Sequence, residues 1–205
     1  ESQKERGFMA KSKTRMLIAI AMLSSISFVL MLLAFPLPVL PAYLKIDFSD
    51  IPALIAAITM GPVAGVLVAL MKNVLDWLFS GSPTGVPVGH MANFATSILF
   101  ITPVYIIYRK VSSSKGIAYG LGVGTICMAL GMSLLNYYVF LPMYSYFLNF
   151  PAETGTALFN SIILGILPFN LIKGILVTIV MIVLFKRMKP LLDKVSKSFK
   201  VPKTI

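Results

Sequence analysis

Five apolar stretches dominate this chain: Met16–Ala34, Ile51–Met71, Val86–Tyr108, Ile117–Leu141 and Leu164–Phe185. A helix needs about 20 residues to cross the hydrocarbon of a bilayer, because each residue adds ~1.5 Å and every backbone amide must find its partner inside the span. The 205 residues are 58% hydrophobic and 12% charged, against about 25% charged in an ordinary soluble domain, and that excludes a soluble fold. An all-α membrane protein is expected. Met16–Ala34 is too long for the core of a signal peptide and lacks a small-residue cleavage site, so it reads as a retained span. The single cysteine, Cys127, lies in an apolar stretch and permits no intrachain disulfide.

A net charge of +11 would suit nucleic acid, but its distribution does not. Lys4, Arg6, Lys11, Lys13 and Arg15 precede the first stretch. Arg109, Lys110 and Lys115 follow the third, and Lys186, Arg187, Lys189, Lys194, Lys197, Lys200 and Lys203 follow the last; together these are 15 of the 18 basic residues. Clustering at span ends is the positive-inside pattern of cytoplasmic loops and tails, which also favour anionic lipid headgroups. Membrane lipids are therefore expected as partners, and no nucleic acid.

Five crossings would set these clusters on opposite sides of the membrane. One additional crossing between residues 46 and 80 removes the conflict, and Gly61-Pro62 supplies its turn, since glycine suits a helix end and proline the first position of the next helix. The expectation is a short helix over Ser49–Met60 and a second over Pro62–Phe79. The first is only about 18 Å long and must be shielded by its neighbours. This makes six transmembrane helices within residues 16–189, with a basic cytoplasmic tail at each end, 1–15 and 190–205.

Two connections on the opposite side carry information. Phe35–Asp50 is proline-rich yet apolar, with Tyr43, Lys45, Asp47 and Asp50, and is expected to fold down over something rather than extend into solvent. Pro142–Ser161, with Tyr144, Tyr146, Phe147, Asn149 and Phe150, reads as an external loop bearing part of an aromatic belt. Small residues four apart, at Gly61, Gly65 and Ala69 and again at Gly116, Gly120 and Gly124, allow helix backbones to approach closely. No strand precedes the second run, so it is no dinucleotide fingerprint.

Depth sorts the polar residues. Asn93 lies about 9 Å below the external start of its helix and Asn136 about 8 Å below the external end of its own. Asn170 and Lys173, three apart and on one face, lie in the outer half of the last span. Lys173 has no acidic residue in its own stretch, and a charge at such depth costs at least ~2.5–3.5 kcal/mol on insertion scales. Three amides and an ammonium converging from three helices describe a polar floor beneath the apolar first loop, rich in donors and acceptors. Against this stand interhelical hydrogen bonding by the asparagines and snorkelling by the lysine. Lys72 and Asp76, beside Asn73, are four apart and read as a structural pair, with a proton relay as the alternative. His90 stands near a helix start as an interfacial residue, and alone it makes no metal site. Walker A, zinc and nucleophile-elbow signatures are missing from the sequence, so no enzyme and no catalytic cofactor are expected; any ATP hydrolysis belongs to another chain.

Four segments, Tyr43–Ile55 (YLKIDFSDIPALI), Gly61–Leu78 (GPVAGVLVALMKNVLDWL), Gly85–Phe94 (GVPVGHMANF) and Pro168–Gly174 (PFNLIKG), together resemble the membrane-embedded substrate-binding (S) components of bacterial energy-coupling factor vitamin transporters. The riboflavin-specific members are the most similar, from Met16 to Lys189. The resemblance implies six helices in a bacterial cell membrane, capture of riboflavin from outside, and release inward driven by a transmembrane coupling protein and two ATPases. It implies that Asn136, Asn170 and Lys173 hydrogen-bond the polar edge of the flavin ring, with Asn93 in the same pocket. The first loop, Leu40, Pro41, Ala42, Tyr43, Leu44 and Lys45, would cover the ring and contact the ribityl chain. Ala21 and Ser25 stand where such proteins present two alanines to the coupling protein, a departure that leaves the register of that interface open. The alternatives are an S component for another vitamin and a stand-alone proton-coupled carrier using Lys72 and Asp76.

Overall fold

The computed structural model describes residues 3–38, 40 and 44–199. Six helices follow one another up and down: α1 (Gln3–Leu32), α2 (Asp50–Met60), α3 (Pro62–Ser80), α4 (Val88–Lys110), α5 (Ser114–Leu148) and α6, which runs from Gly155 to Ser198. Five are long and apolar enough to cross a membrane, among them Lys13–Leu32 of α1; the exception is α2, whose 11 residues span about 16 Å.

The additional crossing sits at the Gly-Pro pair. Gly61 ends α2 at φ 102°, a conformation that strains any side chain, and its amide donates to Ala57 O at 3.1 Å. Pro62 opens α3 where its missing N–H needs no partner. The short helix is shielded as expected, for every residue of α2 except Ile55 is buried. Contact is close because Gly65 of α3 lacks a side chain: a β-carbon there would lie 2.7 Å from Ala57 Cβ and 2.9 Å from Ala53 O. Gly120 and Gly124 of α5 lie equally close to the backbone of Val104 and Phe100 on α4. Ala53, Leu54, Val68, Phe100, Leu121 and Met181 fill the centre.

The external loop expected over Pro142–Ser161 is mostly helix. In α5, Ser114–Leu135 passes through a π turn at Asn136–Phe140 and continues as Leu141–Leu148. In α6, Gly155–Asn160 passes through a second π turn at Ser161–Ile166 and continues as Leu167–Ser198, leaving only residues 149–154 between the two helices. Each π turn is followed at once by Leu-Pro, Leu141-Pro142 in one and Leu167-Pro168 in the other. Proline cannot donate to the carbonyl four residues back, and its ring collides with that carbonyl; one extra residue in the turn relieves both problems. The Leu141 amide accordingly donates to Asn136 O and the Leu167 amide to Ile162 O. Pro142 thus marks a widened turn inside a helix and not the start of a loop.

The first loop carries a minimal hairpin. Phe35–Pro36 (β1) pairs antiparallel with Lys45–Ile46 (β2), Phe35 opposite Ile46. Ile46 is fully buried and leads the chain through Asp47–Ser49 into α2. This end of the bundle, the loop end, also holds the α3–α4 and α5–α6 connections; the other, basic end holds Arg109, Lys110 and the C-terminal half of α6.

Candidate functional site

Beneath the hairpin, five helices and the first loop meet in a buried ionic cluster. Lys173 Nζ of α6 donates to Asp47 Oδ2 at 2.9 Å and stands 3.7 Å from Asp50 Oδ2. Lys72 Nζ of α3 donates to Asp50 Oδ1 at 2.6 Å and to Ser49 Oγ at 2.6 Å. The Ser97 hydroxyl of α4 donates to the same Asp50 oxygen at 2.5 Å. Asp47 Oδ1 accepts from the Ser49 amide at 2.9 Å and from the Ser49 hydroxyl, while Ser27 of α1 donates to the Ser49 carbonyl. Asp47, Asp50, Lys72 and Lys173 are all at most 3% exposed.

Two sequence expectations are corrected here. Lys173 has no acidic residue in its own stretch, yet it does not lack an acidic partner: Asp47 in the first loop and Asp50 at the start of α2 supply two, each more than 120 residues before it. Lys72 was expected to pair with Asp76 one turn away. It pairs with Asp50, and Asp76 instead accepts from His90 (3.0 Å) and from Ser80 (2.9 Å). The local pair loses because α2 begins directly against Lys72 and offers it a carboxylate and a hydroxyl together. One signal was available in the sequence: Asp47, Asp50 and Asp76 are the only acidic residues between the first and fourth helices, and Lys72 and Lys173 are the two lysines within spans.

Two cations and two anions make the cluster neutral. Burying such a set gains little over apolar packing, whereas removing one member costs about 3–5 kcal/mol because a buried charge is left alone. Its consequence is positional: the base of the first loop is tied to α1, α3 and α6. For Asp47, in the loop, burial would raise the carboxyl pKa, but the Lys173 and Lys72 charges and the Ser49 hydroxyl outweigh it and hold the group below the ordinary carboxylate range.

The remaining candidates are placed as follows. Asn170 is buried one turn before Lys173, its amide donating to Ile166 O at 2.8 Å. Asn136 opens the first π turn, is half-buried, and donates to Met132 O at 2.8 Å. Each of these back-bonds uses one of the two amide donors. Asn93 lies one turn of α4 before Ser97, and its side-chain oxygen is buried with no hydrogen-bond partner. Leu40 and Leu44 are half-buried and Lys45 is exposed on β2; Pro41, Ala42 and Tyr43 lie outside the described residues. Ala21 and Ser25 are both exposed on α1, in a face that also shows Leu17, Ile18, Met22 and Ile26.

A family model for the ECF transporter substrate-specific component matches residues 15–185. The chain is 50% identical over 182 residues to the riboflavin transporter FmnP of Bacillus subtilis (strain 168), covering 89% of this chain and 96% of that one. It is 46% identical over 183 residues to the riboflavin transporter RibU of Staphylococcus aureus (strain TCH60), covering 89% and 95%. Among solved structures it is similar to the S component of a bacterial ECF transporter, with a TM-score of 0.74 and 44% identity over 88% of this chain and 98% of that one.

Proposed function

This chain belongs to the substrate-specific components of ECF transporters, and from that premise we propose that it captures riboflavin and delivers it inward together with a transmembrane coupling protein and two ATPases carried on other chains. The observation that carries the ligand is the 46–50% identity, along 89% of this chain, to two riboflavin transporters. The loop end is the external face and the basic end the cytoplasmic one, in keeping with the clustered lysines and arginines. The polar edge of the flavin ring, which presents both donors and acceptors, is met by Asn136, Asn170 and Lys173, and Asn93 stands in the same pocket. Leu40, Pro41, Ala42, Tyr43, Leu44 and Lys45 cover the ring. Ala21 and Ser25 face the coupling protein, since their small side chains on an exposed apolar face let another helix approach closely.

Fluorescence titration of riboflavin into detergent-purified protein tests the ligand. Binding quenches the flavin, and Asn170→Ala weakens it by about 1–3 kcal/mol, the cost of an unmatched buried polar group. Asn170 is the informative position, because any change at Lys173 also releases Asp47. Absence of quenching by the unmodified protein would refute the riboflavin reading; full affinity in Asn170→Ala would remove Asn170 from the site.

A further inference from the structure

One stripe of α4 carries polar atoms that the ionic cluster does not use. His90, Asn93 and Ser97 stand at spacings of three and four, on one face of the helix. Ser97, at the deep end, is bound to Asp50. His90, two turns nearer the loop end, is bound to Asp76 of α3 through Nε2 at 3.0 Å. An ionised carboxylate only accepts, so His90 donates this bond from Nε2–H, and the rotation of its ring is set. His90 Nδ1 is then left buried with no partner, and so is Asn93 Oδ1 one turn below it. Two orphaned polar atoms on one face are destabilising unless a group from elsewhere pairs with them. Beside them the Tyr144 hydroxyl packs against the bare backbone of Gly89, where a β-carbon would lie 2.8 Å from it.

The chemistry of these atoms selects their partner. Asn93 Oδ1 needs a donor. His90 Nδ1 needs a donor when the ring is neutral and an acceptor when it is protonated. A hydroxyl is both, so neighbouring hydroxyls on a flexible chain satisfy the pair in either state. The stripe also has the right displacement from Lys173. That ammonium stands by Asp50, Asp50 by Ser97, and His90 lies seven residues from Ser97, roughly 10 Å along α4 toward the loop end. A ligand with its ring edge at Lys173 and a polyol side chain directed outward reaches both.

We propose that His90 and Asn93 form a hydroxyl-binding subsite for the ribityl side chain, with Asp76 as the positioning residue that holds the His90 ring. This rests on the riboflavin reading. The test compares riboflavin with lumiflavin, which has the same ring system and a methyl group in place of the polyol, in fluorescence titrations of the full chain in detergent. His90→Leu and Asn93→Ala are each expected to weaken riboflavin about 3–10-fold, the scale of one hydrogen bond; lumiflavin loses less than riboflavin in Asn93→Ala and stays within about 2-fold of the unmodified protein in His90→Leu. Asp76→Asn is expected to weaken riboflavin selectively and by less. Lumiflavin binding also reports that a variant is folded; if His90→Leu binds neither flavin, Asn93→Ala decides. Equal losses for both flavins would assign these residues to packing, and unchanged riboflavin affinity would assign their orphaned atoms to water; either outcome overturns the proposal. If the unmodified protein binds neither flavin, the riboflavin reading fails first and the subsite with it.

Discussion

Replacing Asp47 with asparagine removes one of two negative charges from a cluster that balances two lysines. The shape is kept, and an asparagine oxygen can still accept from the Ser49 amide, so the change isolates the charge on Lys173. Loss of one partner from a buried pair costs about 3–5 kcal/mol. Here the remaining carboxylate offsets part of that: Asp50 Oδ2 is 3.7 Å from Lys173 Nζ and has no hydrogen bond of its own. A destabilisation of about 2–4 kcal/mol is expected for Asp47→Asn, and about 3–5 kcal/mol for Lys173→Met, which leaves a net negative charge. The double variant is neutral again and should fall short of the sum by about 2–3 kcal/mol. Unfolding of the purified protein in mixed micelles titrated with dodecyl sulfate, followed by helical circular dichroism, gives the three values. Additivity within about 0.5 kcal/mol would refute the reasoning, because the ionic contact would then contribute nothing beyond each residue separately.

Two further outcomes follow from packing and from exposure. Gly65→Ala places a β-carbon 2.7 Å from Ala57 Cβ and 2.9 Å from a backbone oxygen, so α2 and α3 must separate; a loss of about 1–3 kcal/mol is expected in the same unfolding assay, and unchanged stability would show that α2 is loosely held. Ala21→Trp adds bulk to an exposed face of α1, far in sequence from every residue of the flavin pocket. Cells carrying it with the complete transporter should lose riboflavin uptake while the purified chain keeps its affinity; normal uptake would remove Ala21 from the coupling face.

The helices were legible because the requirement that makes them is local. A span must pair its own backbone amides over about 20 residues, and the count of apolar residues reports that directly. Gly61-Pro62 marked the turn before α3, and the crowding at Gly65 was visible as small residues four apart. Pro142 misled, since a proline ends a helix or widens it according to what packs around it; in α5 and α6 a π turn lets the helix continue.

Asn170 and Lys173 also stood out in the sequence, because a polar residue in an apolar span is conspicuous. Their surroundings did not. Neighbours along a helix suggested Lys72 with Asp76, and an empty stretch suggested an unpaired Lys173, yet the partners are Asp50 and Asp47, 22 and 126 residues away. A buried charge takes whichever opposite charge packing brings within bonding distance with its other hydrogen bonds complete, and no spacing rule encodes that. The sequence by itself determined that this chain crosses the membrane and that α2 turns back at Gly61-Pro62. Only the tertiary structure decided that its charges close on one another and tie the first loop to α6, because folding alone brings the two ends of that contact together.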